Sequence, residues 1–213
     1  MDRRKTIKVI ASLGALTLLP SIDLINTSQK SNIHFVGLGG GGCNALEYIY
    51  RKGIKALYTC VTSPERQHLP SDINFILFDS PEKYFLSKNW YCEKLILPTE
   101  IEAVFKDNCY YYMLVGLGGY TGTMLINKLY PYLKARDKEF TIICSYPFRF
   151  EGKKRMEIAN TKTKDIQNSE YFMSFKLKDL REMYGDMTLK EAFKKADEQY
   201  YKIFTQISKA DPC

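Results

Sequence analysis

The sequence predicts an α/β domain in which a mostly parallel sheet is flanked by helices, and three observations predict it. From residue 33 onward, apolar runs of strand length alternate with segments of helical spacing, the pattern of parallel βαβ units. The chain has 213 residues, 45% of them hydrophobic, which supports one core and leaves no room for two domains of ordinary size. Glycine clusters fall at 37–42 and 116–122, where a strand gives way to a helix. In such sheets ligands bind outside the carboxyl ends of the strands.

Taken in order, Ile33-His34-Phe35-Val36 reads as a buried strand ending at Gly37, and 44–51 as a helix stopped by Gly53. Residues 56–61 and 73–78 are the second and third strands, the latter with apolar alternation. Residues 98–106 have helical spacing through Ile101, Val104 and Phe105. A strand at 110–115, a helix at 121–134 and a strand at 140–145 follow. Helical signals return at 153–164 and 189–207, and Thr188-Leu189-Lys190-Glu191 is a capping box for the last of them. The whole is a Rossmann-like three-layer arrangement.

Composition closes several routes. A charged fraction of 26% excludes wholesale disorder. The longest apolar run, 9–19, is shorter than the roughly 20 residues a bilayer crossing needs. The six cysteines form no C-x-x-C pair, so zinc-ribbon and dithiol redox sites are unsupported and buried free thiols are expected. The net charge is +7, but the lysines are spread among glutamates without a basic run, which argues against nucleic acid as a partner. Residues 1–30 form an N-terminal extension: Arg3 and Arg4 precede a short apolar run, the layout of a twin-arginine-type export signal. Lys8 interrupts that run and Asp23 stands where a cleavage site belongs, so a disordered tail is the competing reading, with membrane contact of 1–25 unassigned. The domain proper is 31–213.

Two segments carry chemistry. Gly37-Leu38-Gly39-Gly40-Gly41-Gly42-Cys43-Asn44 closes a strand and opens a helix, and matches G-x-G-x-x-G with Glu65 some twenty residues on. Its glycines let backbone approach a phosphate, and the helix start offers N–H groups and a positive dipole end. Alone it fits a dinucleotide-binding enzyme using NAD. The second segment, Gly116-Leu117-Gly118-Gly119-Tyr120-Thr121-Gly122-Thr123, repeats the arrangement. Two such turns in one sheet can cradle one polyphosphate, with hydroxyls of Thr121 and Thr123 as further donors.

With two more segments the chain resembles the tubulin/FtsZ GTPases, closest to the bacterial cell-division branch. The first glycine loop is similar to that family's first phosphate loop, with Cys43 in place of its last glycine and Asn44 kept. Gly118-Gly119-Tyr120-Thr121-Gly122-Thr123-Met124 resembles its G-G-G-T-G-T-G signature with two glycines replaced. Pro147-Phe148-Arg149-Phe150-Glu151-Gly152-Lys153-Lys154-Arg155 follows its P-F-x-F-E-G-x-x-R stretch. Ala192-Phe193-Lys194-Lys195-Ala196-Asp197 is similar to the start of its central helix.

The resemblance implies guanine-nucleotide binding, GTP or GDP, with Mg2+ as an accompanying ion. Gly39, Gly40, Gly41, Gly42, Gly118, Gly119, Tyr120, Thr121, Gly122 and Thr123 would hold phosphate. Asn44, Glu151, Arg155, Phe193 and Asp197 would hold ribose and base. Glu151 can accept from ribose hydroxyls and Arg155 can reach sugar and phosphate, although an i,i+4 ion pair explains both equally. Phe193 can stack on a purine while Asp197, one turn on, accepts from guanine N1–H and N2–H. Core packing and a solvated face are the plain alternatives.

Departures from the family pattern set further expectations. The loop at 62–69 keeps little of T-D-A-Q-A-L, and a glycine- and alanine-rich loop is missing from 79–97. The sequence reaches Cys213 just past the central helix, so it predicts a truncated FtsZ-like domain with weak or no autonomous hydrolysis, completed in trans or modulating a full-length homologue's filament. A working GTP site places it in the cytoplasm, against export by the arginine pair. Cys43, Tyr120 and Met124 replace glycines of the family pattern; Tyr120 and Met124 are expected to put bulk near phosphate, with strain if the turn requires a positive φ. A decayed interaction module is therefore a further alternative.

Overall fold

The computed structural model describes residues 33–63, 69–78, 97–177 and 184–210. The elements are β1 (Ile33–Leu38), α1 (Gly39–Tyr50), β2 (Leu57–Thr62), β3 (Asn74–Leu77), α2 (Thr99–Val104), β4 (Tyr110–Gly116), α3 (Tyr120–Ala135) and β5 (Phe140–Tyr146). A 3-10 turn (Arg149–Glu151), α4 (Lys153–Lys162), β6 (Phe172–Lys176) and α5 (Leu189–Ala210) complete them. The expectations for the 1–30 extension, Glu65 and the departures within 64–68 and 79–96 lie outside the described residues.

Among the described residues six strands form one sheet in the order β3-β2-β1-β4-β5-β6, every pair parallel. This is the doubly wound order, and it reverses between β1 and β4. Leu38 pairs with Val115, so both glycine turns leave the sheet from neighbouring strands.

Strand alternation builds the two cores. On β4, Tyr111, Met113 and Val115 face one layer with Ile101 of α2, Leu125 and Leu129 of α3 and Ala159 of α4. Tyr112 and Leu114 face the other with Leu46 and Ile49 of α1 and Tyr200, Phe204 and Ile207 of α5. A strand buried on both faces reads as a continuous apolar run rather than alternation, as expected where helices cover both sides.

The helix α5 starts as its capping box predicts. Thr188 N–H donates to Glu191 Oε2 at 2.8 Å, and Glu191 N–H donates to Thr188 Oγ1 at 3.3 Å. Two boundaries differ from the sequence reading. Helix α1 begins at Gly39 rather than at residue 44, so four glycines form its first turn against their propensity. β6 falls in 165–188, a stretch to which the sequence reading assigns no element.

His34 sits buried in β1 among these layers, its Nε2 2.9 Å from Thr59 Oγ1 and its Nδ1 without a hydrogen-bond partner. Burial lowers its pKa from 6.5 to about 4. A base that is harder to protonate when folded leaves the unfolded chain binding more protons between those values. Stability is therefore full above pH 6.5 and falls as pH drops toward 4, by roughly 3 kcal/mol in total. Unfolding free energies from urea titrations at pH 7.5 and pH 5 are expected to show about 2 kcal/mol of this loss, and His34→Gln is expected to flatten its share of it.

Candidate functional site

Helix geometry fixes what the two glycine turns present. The first four N–H groups of any α-helix lack an intrahelical acceptor. The first turn of α1 is Gly39, Gly40 and Gly41, and that of α3 is Tyr120, Thr121 and Gly122. Both helices thus start at the carboxyl rim of the sheet with positive dipole ends side by side.

The turns interlock through backbone. A Cβ on Gly39 would lie 2.8 Å from Gly122 N, and one on Gly41 would lie 3.3 Å from Gly116 Cα. A Cβ on Gly122 would meet Leu38 O at 2.7 Å, and one on Gly42 would meet Leu114 O at 2.0 Å. These glycines are needed for contact between the turns or with the sheet below. Gly40 differs: it is exposed, and a Cβ there would meet nothing within 4 Å. Gly119 is nearly as open, with Gly116 O at 3.7 Å from its Cβ position.

The third motif packs on the second turn. A Cβ on Gly118 would lie 2.5 Å from Arg155 O and 2.7 Å from Pro147 Cγ, and Gly118 takes φ +77°, a conformation that favours glycine. Glu151 accepts from Phe148 N–H at 2.8 Å and from Arg155 at 2.6 Å. The i,i+4 ion pair is therefore formed, with the Arg155 side chain 54% exposed and Glu151 16%. Each carboxylate oxygen keeps lone pairs beyond these bonds.

The fourth motif is tied to the third by aromatic rings. Phe193 meets Phe148 edge-on, centroids 5.5 Å apart, and Phe150 at 6.4 Å. Phe148 and Phe150 stack at 4.8 Å. Phe193 is 41% and Phe150 60% exposed, so rings remain available to a ligand at the rim. Asp197 is half-buried one turn along α5, and Asn44 is exposed on α1. Contacts thus run unbroken from the first turn to the second, to 147–155, and to the start of α5.

Several side chains do other work than the sequence suggests. Thr123 is fully buried, and its Oγ1 accepts from Gly118 N–H at 3.0 Å; it shapes the second turn instead of offering a hydroxyl to solvent. Thr121 is half-buried, its Cβ 3.6 Å from the Cβ position of Gly39. Cys43 is buried against the α1 and α5 layer, its Sγ 3.4 Å from Gly37 O. Met124 is buried in the opposite layer, so neither puts bulk at the rim. Tyr120 is the first residue of α3 and takes no positive φ, which removes the expected strain. Its half-buried ring raises the phenol pKa to about 12 by burial.

Sequence reasoning missed Tyr200 and Ser145. The Tyr200 hydroxyl donates to Val115 O at 2.6 Å and accepts from Ser145 N–H at 3.0 Å, just below the second turn. The available signal was a tyrosine on the apolar stripe of α5, beside Ala196, Ile203, Phe204 and Ile207. Among the described residues no group of three His, Cys, Asp or Glu side chains is placed to hold a metal ion, so they do not fit a Mg2+ caged by protein carboxylates. Among them, too, no helix is long and apolar enough to cross a membrane.

Fold and site together define a doubly wound α/β domain with paired glycine turns at its switch point. Comparison with known proteins narrows that class, although no family model matches the chain. It is 28% identical over 184 residues to the cell division protein FtsZ of Aquifex aeolicus (strain VF5), covering 78% of this chain and 47% of that protein. It is 30% identical over 189 residues to FtsZ of Mycoplasmopsis pulmonis (strain UAB CTIP), covering 82% and 47%. The solved FtsZ dimer of M. jannaschii matches with a TM-score of 0.65 at 23% identity, covering 86% of this chain and 55% of that one. The chain spans about half the length of the curated relatives it matches. It carries a tubulin/FtsZ-like domain.

Proposed function

We propose that this domain binds guanine nucleotides, GTP and GDP, in the crevice bounded by the two glycine turns, residues 147–155 and the start of α5. The supporting observation is the interlock of the turns at the β1/β4 switch point, which aims two helix N-termini at one place. Gly40 and Gly119 give a phosphate tail its open approach, and the positive dipole ends of the two helix starts favour its charge. Glu151 uses its remaining lone pairs on ribose hydroxyls, and exposed Arg155 reaches sugar and phosphate. Phe193 stacks on the purine and Asp197 accepts from its N1–H and N2–H.

Binding, rather than turnover, is the activity these residues carry. Of the two carboxylates assigned to the crevice, Glu151 is tied to Arg155 and the Phe148 amide, and Asp197 serves the base. Activation of water needs a positioned acid or base, which on this reading comes from a neighbouring FtsZ-like subunit. The chain alone then turns GTP over slowly, and a full-length homologue changes that rate. Since GTP is supplied in the cytoplasm, the same reading places the domain there.

Isothermal titration with GTP, GDP, ATP and NAD tests the proposal. GTP and GDP are expected to bind, with ATP and NAD at least about tenfold weaker. Binding of NAD without GTP would replace it with a dinucleotide-dependent enzyme. No binding of any of the four would leave an interaction module.

A further inference from the structure

Tyr200 lies two helical turns along α5 from Phe193, fully inside the protein. Its oxygen is held from three sides. It donates toward Val115 O at 2.6 Å and Ser145 Oγ at 2.9 Å, and accepts from Ser145 N–H at 3.0 Å. A hydroxyl carries a single proton, which these two acceptors share. Burial pushes the phenol pKa well up, so the donor proton stays in place.

The partners stand where the site begins. Val115 is the last residue before the second glycine turn, and Ser145 pairs with Gly116 across β4 and β5. Ser145 O also accepts from Leu117 N–H at 2.9 Å, inside the turn itself. Two residues beyond Ser145 the 147–155 segment departs. One phenol oxygen on the base-side helix is thus bonded to the strand ends from which the second glycine turn and the 147–155 segment leave. The ring meets Phe175 edge-on at 4.9 Å, and the neighbours Ala196, Ile203, Phe204 and Ile207 are buried and apolar. The ring supplies burial as any apolar residue at 200 would, whereas the hydroxyl satisfies the buried Ser145 N–H and fixes where the helix sits against the strand ends.

We propose that Tyr200 is a positioning residue that straps the base-recognition end of α5 to the second glycine turn, making the grip on base and the grip on phosphate depend on each other. The nucleotide part of this rests on the guanine-nucleotide reading above, whereas the strap itself can be read in the protein alone.

Amide hydrogen exchange of the nucleotide-free protein gives the first measurement. In Tyr200→Phe, amides at 116–119 and 189–197 are expected to exchange about tenfold faster, with those of β1 and β2 unchanged. Ser145→Ala, which keeps the tyrosine and removes a partner, is expected to give the same local pattern. Uniform acceleration through the whole domain, or none, in both variants would overturn the strap. The second measurement is GTP affinity in wild type, Asp197→Asn, Tyr200→Phe and the double variant. The effect of Asp197→Asn is expected to shrink about threefold or more when Tyr200 is already Phe. Additive effects in a protein that binds GTP would overturn the coupling and leave the guanine reading intact. A wild type that does not bind GTP would overturn that reading, with the exchange pattern still deciding the strap.

Discussion

Gly42→Ala is expected to cost most of this domain's stability, whereas Gly40→Ala, two residues earlier on the same turn, is expected to leave it intact and lose nucleotide. The contrast follows from what each Cβ meets. At Gly42 the new carbon would lie 2.0 Å from Leu114 O, backbone in the middle of a six-stranded sheet, with no flexible end to give way. Overpacking of that kind costs about 3 kcal/mol or more. For a chain of this size that is on the order of 10 °C in Tm. At Gly40 nothing lies within 4 Å and φ is not positive, so the stability change should stay within about 1 kcal/mol either way. If that opening admits phosphate, a methyl group there lowers GTP affinity by about tenfold or more. Thermal unfolding and GTP titration of both variants check the pair. Wild-type affinity in a stable Gly40→Ala variant would mean that phosphate does not sit on the first turn.

That difference between neighbouring glycines marks the limit of what the sequence shows. Strand–helix alternation placed β1, β2, β4 and β5 within a residue or two of where they lie, since buried parallel strands are unbroken apolar runs. It also put both glycine turns at strand ends. Which glycines face the rim and which fill the contact with Leu114 or Gly116 depends on strand order, and β1 and β4 become neighbours only through long-range pairing. For the same reason Thr123 looked like a phosphate donor: its bond to Gly118 N–H is a property of the folded turn. Cys43 and Met124 were legible in principle. Cys43 shares a helical stripe with Leu46 and Ile49, and Met124 one with Leu125 and Leu129, which points both inward once the helix is taken to start in the glycines. β6 carries its apolar residues on a half-exposed edge strand, too short a signal to stand out beside the helices around it. The Phe193 and Glu151 neighbourhoods were readable as motifs, but not the ring contacts that join them.

Asp197→Ala is the variant expected to change what the domain selects. A carboxylate facing a purine edge can accept from both N1–H and N2–H of guanine, and hydrogen bonds to a charged acceptor contribute about 1.5–3 kcal/mol each. Adenine presents an acceptor at N1 and no exocyclic amine at C2, so the same carboxylate repels it. Inosine keeps N1–H and lacks the amine. Wild type should therefore rank GTP over ITP by about tenfold and ITP over ATP. In Asp197→Ala, GTP should weaken by about a hundredfold and draw level with ITP, with ATP unchanged or slightly better. In the proposed site Phe193 would fix the plane against which this edge is read. Its ring is held edge-on by Phe148 and Phe150, so Phe193→Leu should lower all three affinities together and keep their order. On that proposal selectivity and stacking should separate, because they are assigned to different side chains one turn apart. A hundredfold loss of ATP as well as GTP in Asp197→Ala would mean that the carboxylate supports the helix start and does not read the base.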